Sequence, residues 1–270
     1  MDLKLHELEA ITNNFAEEKK IGSGECGDVY RATHQGEEIA VKRLHQLRGL
    51  DDKQFNSEFG TLSKVRHQNV VRLIGYCYEI RSKYMKHNGE LVFAKIIERV
   101  LCFEYMHGGS LDEHIKADEA CGLEWPTCYK IIKGTYLGLS RIVDSIETDE
   151  TYMRQGTRGF MPPEYVDSGL ISNKFDVFSL GVIIIKMLAG DKSYFRCYEM
   201  SPEQFIEHVR ENWMKKLQAN PGYSWQEIDI LGVTSCVEIA LRCLDKDGYK
   251  RPCINDIVQE LKELEAKCLT

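Results

Sequence analysis

No run in this 270-residue chain is long and apolar enough to span a membrane. The longest, VFSLGVIIIKMLAG at 177–190, contains Lys186 and falls short of the ~20 residues a spanning helix needs. It is expected to form a buried core helix. The N-terminal MDLKLHELEA has no hydrophobic leader core, and residue 2 is Asp, where N-myristoylation requires Gly. Ten cysteines (Cys26, Cys77, Cys102, Cys121, Cys128, Cys197, Cys236, Cys243, Cys253 and Cys268) include no C-x-x-C pair. That spacing excludes the usual zinc frameworks and, with no export signal, a disulfide scaffold. Reduced, mostly buried thiols in the cytosol are expected. There is no excess of positive charge: the formal net charge is −7, so nothing in bulk drives the chain toward nucleic acid or an anionic membrane. Internal repeats and low-complexity blocks are also lacking.

What is present is ordinary globular material. Hydrophobic residues make up 43% and charged residues 29%, enough for one large domain or two lobes sharing a cleft. The first 20 residues look helical and then polar. KKIGSGECGDVYRATHQGEEIAVKRL alternates and breaks at glycines, as a twisted antiparallel sheet would. Residues 51–66 predict one amphipathic helix, with Phe55, Phe59 and Leu62 at i, i+4 and i+7. Strands are predicted at 70–80 and 98–106, with the polar RSKYMKHNGE as a long hairpin loop between them. After His107-Gly108-Gly109 the pattern turns helical, near 110–117, 125–139, 173–189, 202–217, 227–244 and 254–267. Ser201-Pro202-Glu203-Gln204 carries an N-cap signature, with proline at N1 and Gln204 at N3.

Two segments carry chemistry. IGSGECGDVY (21–30) fits G-x-G-x-x-G-x-V through Gly22, Gly24, Gly27 and Val29. Glycines lack Cβ, so a strand–turn–strand can close over a triphosphate and offer it backbone N–H groups. Alone, the motif is a weak signal. Here strands flank it and no helix opens at the third glycine, which argues against a dinucleotide-binding turn. Ile39-Ala40-Val41-Lys42 ends an apolar strand in a lysine shortly afterwards, and the following helix carries Glu58.

With RHQNVVRLIGYC, LCFEYMHGGSLDEHI, GTRGFMPPEY, KFDVFSLGVIIIKMLAG and ALRCLDKDGYKRP, these segments make the chain resemble the cytoplasmic domain of plant receptor-like Ser/Thr protein kinases over nearly its whole length. The resemblance implies an α+β bilobal fold: a lead-in at 1–15, a β-rich N-lobe at 16–106 and an α-rich C-lobe at 107–270. It implies an ATP site built from Ile21, Gly22, Gly24, Gly27, Val29, Ala40, Lys42, Glu58, Phe103, Glu104 and Met106. In that pattern Lys42 meets the α- and β-phosphates and pairs with Glu58. Val29 and Ala40 sandwich the adenine, Phe103 stands behind it, and backbone groups of Glu104 and Met106 bond the base. The implied partners are signalling proteins or receptor kinases, with no nucleic acid and no direct membrane insertion. The implied setting is the cytoplasm, with a partner recruiting the chain to the plasma membrane.

The family's catalytic stretch is absent. Between Lys42 and Pro162 there is no H-x-D-x-K-x-x-N loop and no Asp-Phe-Gly. Residues up to Leu139 fit the helix that precedes that loop. Residues from Ser140 fit the Ser-Arg that follows it. Gly138-Leu139 fits both, as a block of roughly 40 residues removed at that dipeptide would leave it. In the Asp-Phe-Gly position stands Tyr136-Leu137-Gly138, and a neutral phenol does not replace a carboxylate on Mg²⁺. Asp144, Glu147, Asp149 and Glu150 form a solvated acidic loop by expectation. No catalytic residue and no metal ligand is therefore assigned. Losing even one group that stabilises transition-state charge lowers the rate ~10²–10³-fold. Asp176 is expected to lose its partner with the missing loop, and Glu164 and Arg251 to remain an ion pair.

Overall fold

Burial alternates along the first strands because successive side chains leave opposite faces. In 37–44, Ile39 and Val41 are buried on one face, while Ala40 and Lys42 stand on the other. The computed structural model describes residues 1–24, 27–45, 55, 59–60, 62–87, 90–115, 122–143, 149–150, 159–219 and 226–268. They divide into two compact units, Met1–His107 and Gly108–Thr270.

The N-terminal unit opens with a helix, α1 (Leu5–Ile11), followed by β1 (Lys20–Gly24), β2 (Gly27–His34), β3 (Glu37–Leu44), β4 (Leu73–His87) and β5 (Glu90–Glu104). These strands form one antiparallel sheet in the order β1-β2-β3-β5-β4. One face is covered by the lead-in: Leu3, Leu5, Leu8 and Phe15 pack on Tyr30, Ile39, Val41, Val100 and Cys102. At the end of α1 the Thr12 hydroxyl donates to the Leu8 carbonyl and accepts from the Phe15 N–H, which closes the turn into the sheet. The other face carries Leu44, Leu73 and Leu101, against which Phe55, Phe59 and Leu62 pack. Those three are helical, as their spacing predicts.

One boundary differs from expectation. RSKYMKHNGE is mostly strand: β4 runs to His87 and β5 starts at Glu90, which leaves two linking residues. The sequence signal was there, since Asn-Gly between alternating apolar residues is the strongest short-range mark of a tight hairpin. The segment's polar composition outweighed it.

The C-terminal unit is helical: α2 (Leu111–Ile115), α3 (Trp125–Val143), α4 (Pro163–Ser168), α5 (Phe175–Ala189), α6 (Ser193–Arg196), α7 (Pro202–Gln218), α8 (Glu227–Cys243) and α9 (Ile254–Cys268). Residues 149–150 pair with 170–171 as a short two-stranded ladder. The apolar α5 lies at the centre, with Val177, Leu180, Ile184 and Leu188 buried. Gly181 lets it approach α8, because a Cβ there would meet Cys243 Cβ at 2.8 Å. α7 starts as its sequence predicts: Gln204 N–H donates to Ser201 Oγ (3.3 Å) and Ser201 N–H to Gln204 Oε1 (3.1 Å).

Candidate functional site

The glycine-rich segment is a hairpin in which Gly22 pairs with Val29 and Gly24 with Gly27. Residues 25–26, at its tip, lie outside the described residues. The hairpin is pinned from its other side. The Ser23 hydroxyl donates to Asp28 Oδ1 (2.7 Å), and Lys20 Nζ lies 3.0 Å from the same carboxylate. The Ser23 bond, then the Lys20 ammonium, hold the Asp28 carboxyl down to about 2.

The three glycines do different work. A Cβ on Gly27 would sit 2.3 Å from the Arg43 carbonyl oxygen, so this glycine is required by the neighbouring strand. A Cβ on Gly24 would meet nothing within 4 Å, and one on Gly22 would reach Val29 Cβ at 4.0 Å. Among the described residues, the space a Cβ would take beside Gly24 is therefore open.

Strand register brings the predicted adenine and phosphate residues to one face. Val29 pairs with Lys42, Lys42 with Leu101, and Ala40 with Phe103. Cross-strand partners share a face, so Val29, Ala40, Lys42 and Phe103 stand together, opposite the face covered by α1. Ile21 is exposed on β1. Glu58 lies outside the described residues, and so does its pairing with Lys42. At the end of β5 the Glu104 N–H donates to the Arg72 carbonyl (3.0 Å) and its carboxylate accepts from the Arg72 N–H (2.8 Å). That donor is engaged within the fold and is not offered to a base. Met106 is 60% exposed.

The chemistry these residues offer, an apolar patch with a lysine beside it and a glycine hairpin, is the kind an adenine and phosphates require. No metal-binding cluster of three His, Cys, Asp or Glu side chains occurs among the described residues. Asp144 and Glu147 fall outside them.

In the C-terminal unit, α3 runs unbroken from Trp125 to Val143, through Gly138-Leu139. Trp125, Cys128, Ile132 and Tyr136 lie along its buried stripe. Tyr136 is fully buried, and its hydroxyl lies 3.9 Å from Cys243 Sγ. Burial, then the Cys243 thiol, push the phenol well above its ordinary range. Tyr136 is a core residue of a continuous helix. The α4 segment is tied to the later helices by Arg251, whose guanidinium donates to both Glu164 oxygens (2.6 and 2.8 Å), to the Asp245 carbonyl (2.8 Å) and to the Lys174 carbonyl (3.3 Å). Asp176, in the first turn of α5, is half-buried, and desolvation raises its pKa. No described group donates to it.

The sequence pattern of the protein kinase domain matches this chain over residues 15–145 and again over 130–261. The chain belongs to the protein kinase family. It is 31% identical over 302 aligned positions to cysteine-rich receptor-like protein kinase 19 of Arabidopsis thaliana, covering 94% of this chain and 43% of that protein. It is 28% identical to cysteine-rich receptor-like protein kinase 41 of the same plant, covering 96% and 43%. It is 29% identical to a brassinosteroid LRR receptor kinase of Oryza sativa subsp. japonica, covering 97% and 24%. The chain thus spans less than half the length of these relatives, which are plant receptor-like kinases. The two kinase segments overlap on 130–145, so those residues answer to two parts of the family pattern, and Gly138-Leu139 lies inside the overlap. The alignments agree: 94% of 270 residues is about 254, so about 48 of the 302 positions matched to the Arabidopsis kinase 19 hold no residue of this chain. The β-sheet unit and helical unit are those of the bilobal kinase fold, and no described helix is long and apolar enough to cross a membrane.

Proposed function

We propose that this chain is a receptor-like-kinase-type domain that grips a nucleotide through its N-terminal unit and works in signalling by protein contact, without phosphoryl transfer. The observation that carries this is the sequence between Lys42 and Pro162, which contains neither the catalytic aspartate nor the two Mg²⁺ ligands that the family's reaction needs. The unbroken α3 supports it, because a core tyrosine stands where the metal-binding aspartate would be sought.

In this proposal Lys42 neutralises the α- and β-phosphates in partnership with Glu58. The hairpin bearing Gly22 and Gly24 lies over the phosphates. Val29 and Ala40 contact the adenine face, with Ile21 and Phe103 bounding it. Gly27 serves by letting β2 and β3 approach. The Glu104 carbonyl and the Met106 backbone serve the base. ATP brings a transferable phosphoryl group and Mg²⁺ neutralises its charge, but these residues supply binding only. The setting is the cytoplasmic side of the plasma membrane, reached through a partner receptor kinase.

The test is a thermal melt of the purified chain with ATP, with and without Mg²⁺. Metal-independent stabilisation, abolished in Lys42→Ala, is expected. Absence of any ATP effect would remove the nucleotide grip.

A second reading has its own support: the join at Gly138-Leu139 is clean, and the family pattern resumes at once beyond it. An active kinase whose complete message contains the block would produce this sequence when the block is skipped. Full-length transcript sequencing separates the two, since consistent absence of the block leaves only the first.

A further inference from the structure

β4 is the terminal strand of the sheet, so one of its edges faces outward. The start of that edge already takes an extended segment. Asp2 bridges Tyr76 in parallel, Leu3 N–H donates to the Tyr76 carbonyl (2.8 Å), and Tyr76 N–H donates to the Met1 carbonyl (3.0 Å). The chain then turns away into α1, where Leu5 N–H is held by the Glu79 carboxylate and Glu9 by Arg81. From Ile80 to His87 no described strand covers the edge. Backbone polarity alternates along a strand, so the alternation that turns Tyr76 N–H and C=O outward does the same for Ile80, Ser82 and Tyr84. An open edge of this length is a template for another chain, and neither proline nor a bulge blunts it over 80–87.

The side chains on one face of this stretch form a pattern. Ile80 pairs with Ile97, Ser82 with Lys95, and Tyr84 with Phe93. Tyr84 and Phe93 pack in a tilted arrangement with ring centroids 5.0 Å apart, yet are 67% and 61% exposed, and Ile80 is 61% exposed. Two apolar pairs thus flank a serine and a lysine in solvent. Residues 80–97 contain Arg81, Lys83, Lys86 and Lys95 against one acid, Glu90, in a chain whose net charge is −7. A second copy pairing its own β4 here would bring like charges together. A lipid surface would leave the backbone edge unpaired.

We infer that β4 from Ile80 to Tyr84 is a docking edge for an extended acidic segment of a partner protein, which adds to the sheet as a further strand. Its apolar residues cover Ile80 and Tyr84/Phe93, and a carboxylate between them meets Ser82 and Lys95. The inference does not depend on nucleotide binding.

The test uses the full chain and a fluorescein-labelled peptide, Thr-Ile-Thr-Glu-Thr-Phe-Thr, read by fluorescence polarisation. Saturable binding is expected, lost when alternate peptide nitrogens are methylated. Ser82→Pro removes only an outward N–H and is expected to weaken binding at least tenfold, with the melting temperature unchanged. Lys95→Glu is expected to weaken it about fivefold, which keeps the test decisive if the proline variant fails to fold. Equal binding of the N-methylated peptide, or no binding at millimolar concentration, would overturn the inference. So would sedimentation showing a dimer that Ser82→Pro dissolves, or capture by phosphatidylserine vesicles in place of the peptide.

Discussion

Three carboxylates of the N-terminal unit have charged or hydroxyl donors, whereas in the C-terminal unit the half-buried Asp176 has none among the described residues. Asp28 has Ser23 and Lys20, Glu98 has Arg43, and Glu9 has Arg81. In the helical unit Arg251 donates to Glu164 and two carbonyls, but Asp176 sits half-buried without a described donor. Both units also bury apolar clusters. On the proposed reading, the absent catalytic block leaves Asp176 as an electrostatic remnant. Apolar packing is non-directional and re-forms around a changed connection, while a carboxylate needs a particular donor.

The comparison is broken most forcefully at Arg251. Replacing it with Ala leaves Glu164 unpaired beside the core and strips four hydrogen bonds, two to the Glu164 carboxylate and two to carbonyls. About 3–5 kcal/mol of stability should be lost in urea unfolding, and a loss below ~1 kcal/mol would mean the pair is ornamental. Asp176→Asn should act in the opposite sense. Desolvation raises its folded pKa, so the charged form destabilises the native state above that pKa. Protonation relieves this as pH falls through it. The variant should be more stable at neutral pH by about 1 kcal/mol, and the advantage should vanish below the ordinary aspartate pKa near 4. Equal stability of the two at pH 7 would show that Asp176 has a donor. The smallest effect is at Asp28. Its folded pKa is lowered to about 2, so its contribution is fully present above its unfolded pKa and lost as pH falls toward 2. Asp28→Asn should flatten the acid limb of melting temperature against pH between about 4 and 2.

Much of both units is legible in the sequence where a short spacing rule has one physical meaning. Phe55, Phe59 and Leu62 repeat at helical intervals and pack on one face of the sheet. Ser201 and Gln204 form the reciprocal cap their separation implies. Glu164 and Arg251, 87 residues apart, were reachable only through family resemblance, because nothing local links them. The β4–β5 hairpin is legible but the reach of its strands is not, since solvated polar side chains on both strands mimic a loop. The separate duties of Gly24 and Gly27 were not legible, because the motif treats its glycines alike and only the Arg43 carbonyl distinguishes them.

The most direct test of the account is transfer of labelled γ-phosphate from ATP in the presence of Mg²⁺ by the purified 270-residue chain, to itself and to a generic protein substrate. The account predicts incorporation no higher than that of Lys42→Ala. Incorporation that proceeds in the unaltered chain and disappears in Lys42→Ala would contradict it.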